Sequence, residues 1–170
     1  MQDPSSLISP YCFRPATPAD LPMLEVWLHS REVVRWWGTP ATQLDLLRED
    51  LSDPKMVMRI VNYQDVPFAY AQDYDVASWP APHFSGLPPG TRAIDAFIGE
   101  PVMTGRGHGS RFLRLLARGL IDEGAPLVAI DPDVRNLRAQ RAYEKAGFRR
   151  HSVVDTREGP AVLMLFDGLG

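Results

Sequence analysis

A glycine-rich turn, Thr104-Gly105-Arg106-Gly107-His108-Gly109-Ser110, separates an apolar run from a strongly amphipathic stretch, and this constrains the fold more than any other feature of the chain. Upstream, Thr91 to Gly99 holds an apolar run interrupted by Asp95, which predicts a strand. Downstream, Phe112, Leu116 and Leu120, flanked by Leu113, Ala117 and Ile121, form a wide helical stripe. Three glycines at alternate positions let successive backbone amides converge at the positive end of that helix, which suits a diphosphate. The spacing matches neither a Walker A loop, which needs Lys followed by Ser or Thr, nor a GxGxxG dinucleotide fingerprint with an acid on the next strand. A flexible linker is the plain alternative, and the position before a helix favours an anion cradle.

The rest of the chain reads as alternating short elements. Cys12 to Arg14 is a short strand, and Thr17 with Pro18 and Asp20 gives an N-cap, an N1 proline and a first-turn acid for the helix of Leu21, Leu24, Trp27 and Leu28. Val33, Val34, Trp36 and Trp37 form a second short helix that Gly38 and Pro40 end, and Thr42 to Leu51 a third. Met56 to Tyr63 and Pro67 to Val76 predict a hairpin about Gln64 and Asp65. Ser78 to Gly90, with Pro80, Pro82, Pro88 and Pro89, reads as one long loop of a length that is often functional. Leu127 to Ile130 is a buried strand, Leu137 to Ala146 a helix stopped by Gly147, and Phe148 to Asp155 and Ala161 to Phe166 a final pair of strands. The economical architecture is a mixed α/β single domain over 1–170, with its core at about 12–166.

Composition narrows the function. Twenty-one acidic against 18 basic residues leave a formal charge of −3, which removes the footprint of a general nucleic-acid binder. The single cysteine, Cys12, has no partner for a disulfide and no nearby base to activate it, so a covalent acyl-cysteine route is not expected. No signal-like start or long apolar run is present, so the expectation is a cytoplasmic protein without a membrane segment. His29, His83 and His151 are too dispersed for a metal site, and His108 is expected to contribute its backbone amide.

About thirty residues beyond the glycine turn lies Asn136-Leu137-Arg138-Ala139-Gln140-Arg141-Ala142-Tyr143-Glu144-Lys145-Ala146-Gly147-Phe148. The two segments together resemble motifs A and B of the GNAT superfamily of N-acyltransferases. Five further blocks narrow the resemblance: Arg35-Trp36-Trp37-Gly38, Val66-Pro67-Phe68-Ala69-Tyr70-Ala71-Gln72, Arg92-Ala93-Ile94-Asp95, Asp131-Pro132-Asp133 and Gly159-Pro160-Ala161-Val162. In order and spacing they are similar to the aminoglycoside 6'-N-acetyltransferase group. The resemblance implies a mixed central sheet with a splayed pair of parallel strands and helices on both faces. It implies acetyl-CoA as acyl donor, held by Ile98 and Gly99 at the strand end, by Arg106, Gly107, His108, Gly109 and Ser110 in the cradle, and by Asn136 and Tyr143. It also implies a small cationic amine as acceptor, and no metal. Thr104 stands where the family usually has Gln or Arg, a loss for which Arg106 is the expected compensation.

The residues themselves agree with this reading while leaving alternatives open. Asp95 interrupts an apolar strand, where an unpaired carboxylate is costly, so it is expected to face a pocket; pairing with Arg92 in a surface ladder is the alternative. Asp131 closes a strand, where α/β folds place ligand residues, or else caps a turn before Pro132. Either acid is a candidate base for the acceptor ammonium, Tyr143 a candidate acid for the departing thiolate or a core aromatic, and Trp37 and Asp73 candidate acceptor contacts. A strand amide at Ile98 or Gly99 would stabilise the oxyanion. Asp73, Asp75, Asp95, Glu100, Asp131 and Asp133 are expected near the strand ends as an acidic field. The competing classes are an acetyltransferase acting on a protein or siderophore-type amine, and a catalytically silent CoA-binding sensor. The expected assembly is a monomer or homodimer.

Overall fold

The computed structural model describes residues 9–79 and 81–169; Pro80 of the proline-rich loop and the chain ends assigned to the domain lie outside them. β1 (Tyr11–Pro15) leads through a 3-10 turn at Pro18–Asp20 into α1 (Leu21–Leu28), α2 (Arg31–Trp37) and α3 (Pro40–Asp50). β2 (Val57–Tyr63), β3 (Val66–Asp75) and β4 (Arg92–Ile98) follow, then α4 (His108–Asp122), β5 (Val128–Ile130), α5 (Leu137–Ala146), β6 (Arg149–Thr156) and β7 (Gly159–Phe166). The predicted order of elements is found, with ends moved by one or two residues. The first predicted helix divides: the Asp20 carboxylate accepts the Thr17 N–H at 2.8 Å and takes both nitrogens of the Arg14 fork, which closes a tight turn before α1 begins. The loop after β3 is less irregular than expected, holding 3-10 turns at Val76–Ser78 and Pro82–Phe84, the second nailed down by the buried Phe84.

The strands form one seven-stranded sheet in the order β1-β2-β3-β4-β5-β7-β6. Only β4 and β5 run parallel, and their register is confined to two pairs, Arg92 with Val128 and Ala93 with Ala129. Beyond those rungs β4 continues to Ile98 beside β3, whereas β5 ends at Ile130 beside β7. The sheet therefore parts at its centre.

Successive side chains on a strand point to opposite faces, and this sheet uses both. Ala69, Ala71, Ile94, Val128, Ile130, Val162, Met164 and Phe166 pack against Phe112, Leu113, Leu116 and Leu120 of α4 and Ala146 of α5. Their neighbours Tyr70, Tyr74, Ala93, Phe97, Ala129 and Leu163 pack against Leu24 and Trp27 of α1, Val33 of α2 and Leu47 of α3. Parity along a strand thus decides on which side a functional residue can act. Among the described residues no helix is long and apolar enough to cross a membrane.

Candidate active site

The cradle is built by backbone conformation. Gly105 and Gly107 take φ of +73° and +82°, a region that L side chains rarely adopt, and Gly107 stands directly before α4. The first-turn amides of α4 have no intrahelical acceptor and face the cleft at the positive helix end. A side chain at Gly105 would place its Cβ 3.2 Å from Nη2 of Arg138, so a guanidinium from α5 lies over the glycine turn. Arg138, Arg141 and Lys145 line a cleft of about 380 Å³ together with Gly105, Gly107 and Ser110. Arg106, the expected substitute for the missing cation at Thr104, is exposed in the turn, and Arg138, a further cation, lines the cleft. Asn136 also lines the cleft, with Oδ1 capping α5 by accepting the Ala139 N–H at 3.1 Å.

His108 does more than supply an amide. Its imidazole is buried, with Nδ1 2.7 Å from the Tyr11 hydroxyl and the rings of Tyr63 and Phe68 at 4.7 and 5.5 Å. The side chain therefore clamps the first turn of α4 onto the β1 to β3 end of the sheet. Burial, and then the nearby Arg111 and Arg106, hold its pKa below the ordinary imidazole value.

The parted strands present a donor. Gly99 N–H is bound by Phe68 O at 2.8 Å, which makes this a hydrogen-bonded pair of the antiparallel β3·β4 ladder. Alternation then turns the amides of Ala96 and Ile98 away from β3, toward the side where Arg92 N–H reaches Leu127 O at 3.1 Å. Of the two predicted oxyanion donors, Ile98 points into the gap and Gly99 is spent on the sheet. Gly99 is nonetheless required, because a Cβ there would fall 2.1 Å from the Trp27 ring.

Asp95 shares the α1 to α3 face with Ala93 and Phe97, and Asp131, two positions after Ala129, has the same parity. Asp95 accepts a hydrogen bond from Gln72 Nε2 at 3.0 Å, and Gln72 Oε1 is held by the Tyr70 hydroxyl at 2.7 Å. Burial, then the charge of Asp131, raise the Asp95 pKa to about 7, with Glu158 and Asp50 adding to the effect. Asp131 accepts from His83 Nε2 at 2.8 Å. Tyr143 projects from α5, on the opposite side of the sheet, yet Asp95 and Asp131 both act on it electrostatically; burial first, and then those two charges, push the phenol pKa up. β4 and β5 are joined by only two pairs, so the sheet is open where the charges of the two acids reach the phenol. Trp37 closes the α2 side of the cleft, edge-on to Phe97 at 4.9 Å, and Trp36 lines it with Arg35 over its ring at 4.8 Å.

The remaining acids disperse. Asp73 has the opposite parity to Asp95 and is buried under α4, gripped by Arg59 and by Arg92, whose Nε lies 2.8 Å from Oδ2. Arg92 therefore serves Asp73 and does not form a ladder with Asp95. Asp75 caps the Val76–Ser78 turn, Glu100 accepts the Trp27 indole N–H at 2.8 Å, and Asp133 pairs with Arg135. Replacing Asp73 by Ala leaves two arginines facing each other; discounted for their partial exposure, the expected loss is about 2 kcal/mol in chemical denaturation, with turnover kept in the folded fraction. A loss of acceptor affinity equal to that of an Asp131 variant would instead place Asp73 at the acceptor. Asp50 and Glu158 carried no sequence signal, one ending a helix and the other sitting in a hairpin turn, and His83 lies 48 residues from its partner.

A profile of the acetyltransferase (GNAT) domain matches residues 16–156. The chain belongs to the GNAT family of acetyltransferases. Aminoglycoside N(6')-acetyltransferase type 1 of Klebsiella pneumoniae is 34% identical over 158 residues, covering 88% of this chain and 79% of that protein. A solved structure of AAC(6')-Ib with paromomycin and acetyl-CoA superposes with a TM-score of 0.85 at 32% identity, covering 95% of this chain and 94% of the other. A crystal structure of AAC(6')-Ib with coenzyme A and kanamycin gives 0.83 at 33% identity, covering 93% and 95%. In this GNAT acetyltransferase the parted strands, glycine cradle and basic face of α5 form one continuous cleft that Trp36 and Trp37 bound on the α2 side, and Asp95 lies on the α1 to α3 face, where the charges of Asp131, Glu158 and Asp50 make an acidic basin.

Proposed function

We propose that this acetyltransferase moves the acetyl group of acetyl-CoA to a primary amine of a small polycationic acceptor, an aminoglycoside 6'-amine being the best supported. The observation that carries the reading is the cleft fit for a diphosphate at the parted strands, with Tyr143 in its wall, where the charges of Asp95 and Asp131 reach the phenol. The 32 to 34% identity to aminoglycoside acetyltransferases supports the acceptor class.

The residues present suit the donor. Gly105 and Gly107 keep the turn clear of side chains, the α4 amides and Arg138 offer positive charge, and α5 continues the basic face with Arg141 and Lys145. Acetyl-CoA supplies an acyl group activated as a thioester. Asp131 holds the acceptor ammonium, and Asp95, whose pKa near 7 matches the task, takes its proton. The neutral amine then attacks the carbonyl carbon while the Ile98 amide stabilises the oxygen. As the carbon–sulfur bond breaks, the phenol of Tyr143, kept protonated by its raised pKa, donates a hydrogen bond to the sulfur, and the proton that the nitrogen sheds as the amide forms completes the thiol. Alignment of both substrates in one complex supplies much of the acceleration.

The test is thiol release with acetyl-CoA and, in parallel, kanamycin, tobramycin and a lysine-bearing peptide. Kanamycin and tobramycin are expected to turn over with kcat/KM at least about 100-fold above the peptide, given that the charges of Asp131, Glu158 and Asp50 all reach Asp95 and suit a polycation. Selective turnover of the peptide would favour the protein-modifying reading, and acetyl-CoA binding without turnover of any amine the sensor reading.

A further inference from the structure

The loop between β3 and β4 brings an imidazole, that of His83, against Asp131. His83 sits in the Pro82–Phe84 turn with its ring 4.0 Å from that of Phe84, and Phe84 is buried in the core 6.5 Å from Tyr74. The turn also packs against β6. His83 is thus fixed at its base, and its Nε2 reaches Asp131 Oδ2 at 2.8 Å, the two side chains being 11% and 21% exposed. Asp131, by contrast, has just left the sheet: β5 ends at Ile130, and its main chain is next secured by Val162 N–H on Pro132 O at 2.8 Å. The backbone sets the face that Asp131 occupies, and the hydrogen bond with His83 fixes its carboxylate. The charges of Asp131 and Glu158 both reach Asp95, and like charges drive a free carboxylate outward.

We propose that His83 is a positioning residue for acceptor recognition: its Nε2–H ties down one oxygen of Asp131 and aims the other at the acceptor ammonium. The proposal rests on Asp131 being an acceptor contact. An ionised carboxylate only accepts, so Nε2 carries the hydrogen in this pair. A shielded hydrogen bond to a charged group is strong enough to hold a side chain in one rotamer. The imidazole also bounds the basin on the loop side, so that the proline-rich loop enters acceptor selection through one side chain held by the Phe84 anchor.

The experiment is steady-state kinetics of the full chain with kanamycin and acetyl-CoA, on His83→Ala, His83→Phe, His83→Gln, Asp131→Asn and the His83→Ala/Asp131→Asn pair. His83→Ala and His83→Phe are expected to raise the kanamycin KM by roughly tenfold, with kcat reduced less than about threefold and the acetyl-CoA KM unchanged. Gln keeps an N–H donor and is expected to restore most of the affinity. In the Asp131→Asn background His83→Ala is expected to add less than about twofold. An unchanged kanamycin KM in His83→Ala, equal losses toward both substrates, or the same added loss without Asp131 would overturn the proposal; the Phe variant, which keeps an aromatic ring on Phe84, separates a missing donor from a loosened loop. If Asp131→Asn raises the kanamycin KM and His83→Ala does not, the positioning proposal falls alone. If Asp131→Asn leaves it unchanged, the acceptor reading of Asp131 fails and takes the proposal with it.

Discussion

Replacing Tyr143 by Phe lowers kcat by roughly 10²- to 10³-fold while the Kd for acetyl-CoA stays within about twofold. The expectation follows from where the phenol stands. Its ring packs on the α5 side of the sheet, 6.3 Å from Phe148, and Phe preserves that contact. What Phe lacks is the proton, and burial with two nearby carboxylates keeps that proton on the oxygen far above neutral pH. A group so placed is a poor base and remains a hydrogen-bond donor to the departing sulfur. Thiol-release kinetics and calorimetry with acetyl-CoA check both halves of the statement. A donor whose sulfur leaves as a more acidic thiol is expected to narrow the gap between Tyr and Phe. Equal losses in turnover and in acetyl-CoA binding would reduce Tyr143 to a packing residue.

Asp95→Asn carries the second large effect and pulls two observables in opposite directions. Activity falls: without a proton acceptor beside the ammonium, kcat/KM for kanamycin is expected to drop about 10²- to 10⁴-fold at pH 7.5. Stability rises at the same pH. In the folded chain Asp95 titrates near 7, against an ordinary value of 3.8, so the folded state binds this proton more tightly than the unfolded one. The resulting stabilisation is complete below the ordinary value and is lost as pH climbs through about 7. Asn, always neutral, escapes that loss. Thermal melts should show the variant melting above the native chain at pH 8, with the difference shrinking toward pH 4. The native kcat/KM should rise with an apparent pKa near 7 as Asp95 ionises. A variant less stable than the native chain at pH 8 would mean that Asp95 is not buried at electrostatic cost.

The order of elements was legible because each carries its own local signal: the α4 stripe, the Asn136 cap and Gly147 stop of α5, and the period-2 faces of β3, β4 and β7. The cradle was legible for the same reason, its glycines and following helix being contiguous. Acidic residues were a weaker guide, since a carboxylate near a strand end looks alike whether it meets solvent, an arginine or a substrate. Counting from Asp95 along β4 and across the Gln72 pairing would have placed Asp73 on the opposite face, but that count needs the register between strands. His83 and Asp131 are joined only by the course of a long loop, and Arg138 reaches Gly105 only because α5 packs on α4. Contacts of this kind depend on tertiary packing, and no local pattern encodes them.

With β4 and β5 joined by two rungs, the sheet is like a book whose spine is stitched only at one end. The leaf carrying β1 to β4 brings Asp95 and the Ile98 amide; the leaf carrying β5 to β7 brings Asp131. Whatever bridges the unstitched length supplies the missing rungs, so a ligand seated there ties one leaf to the other.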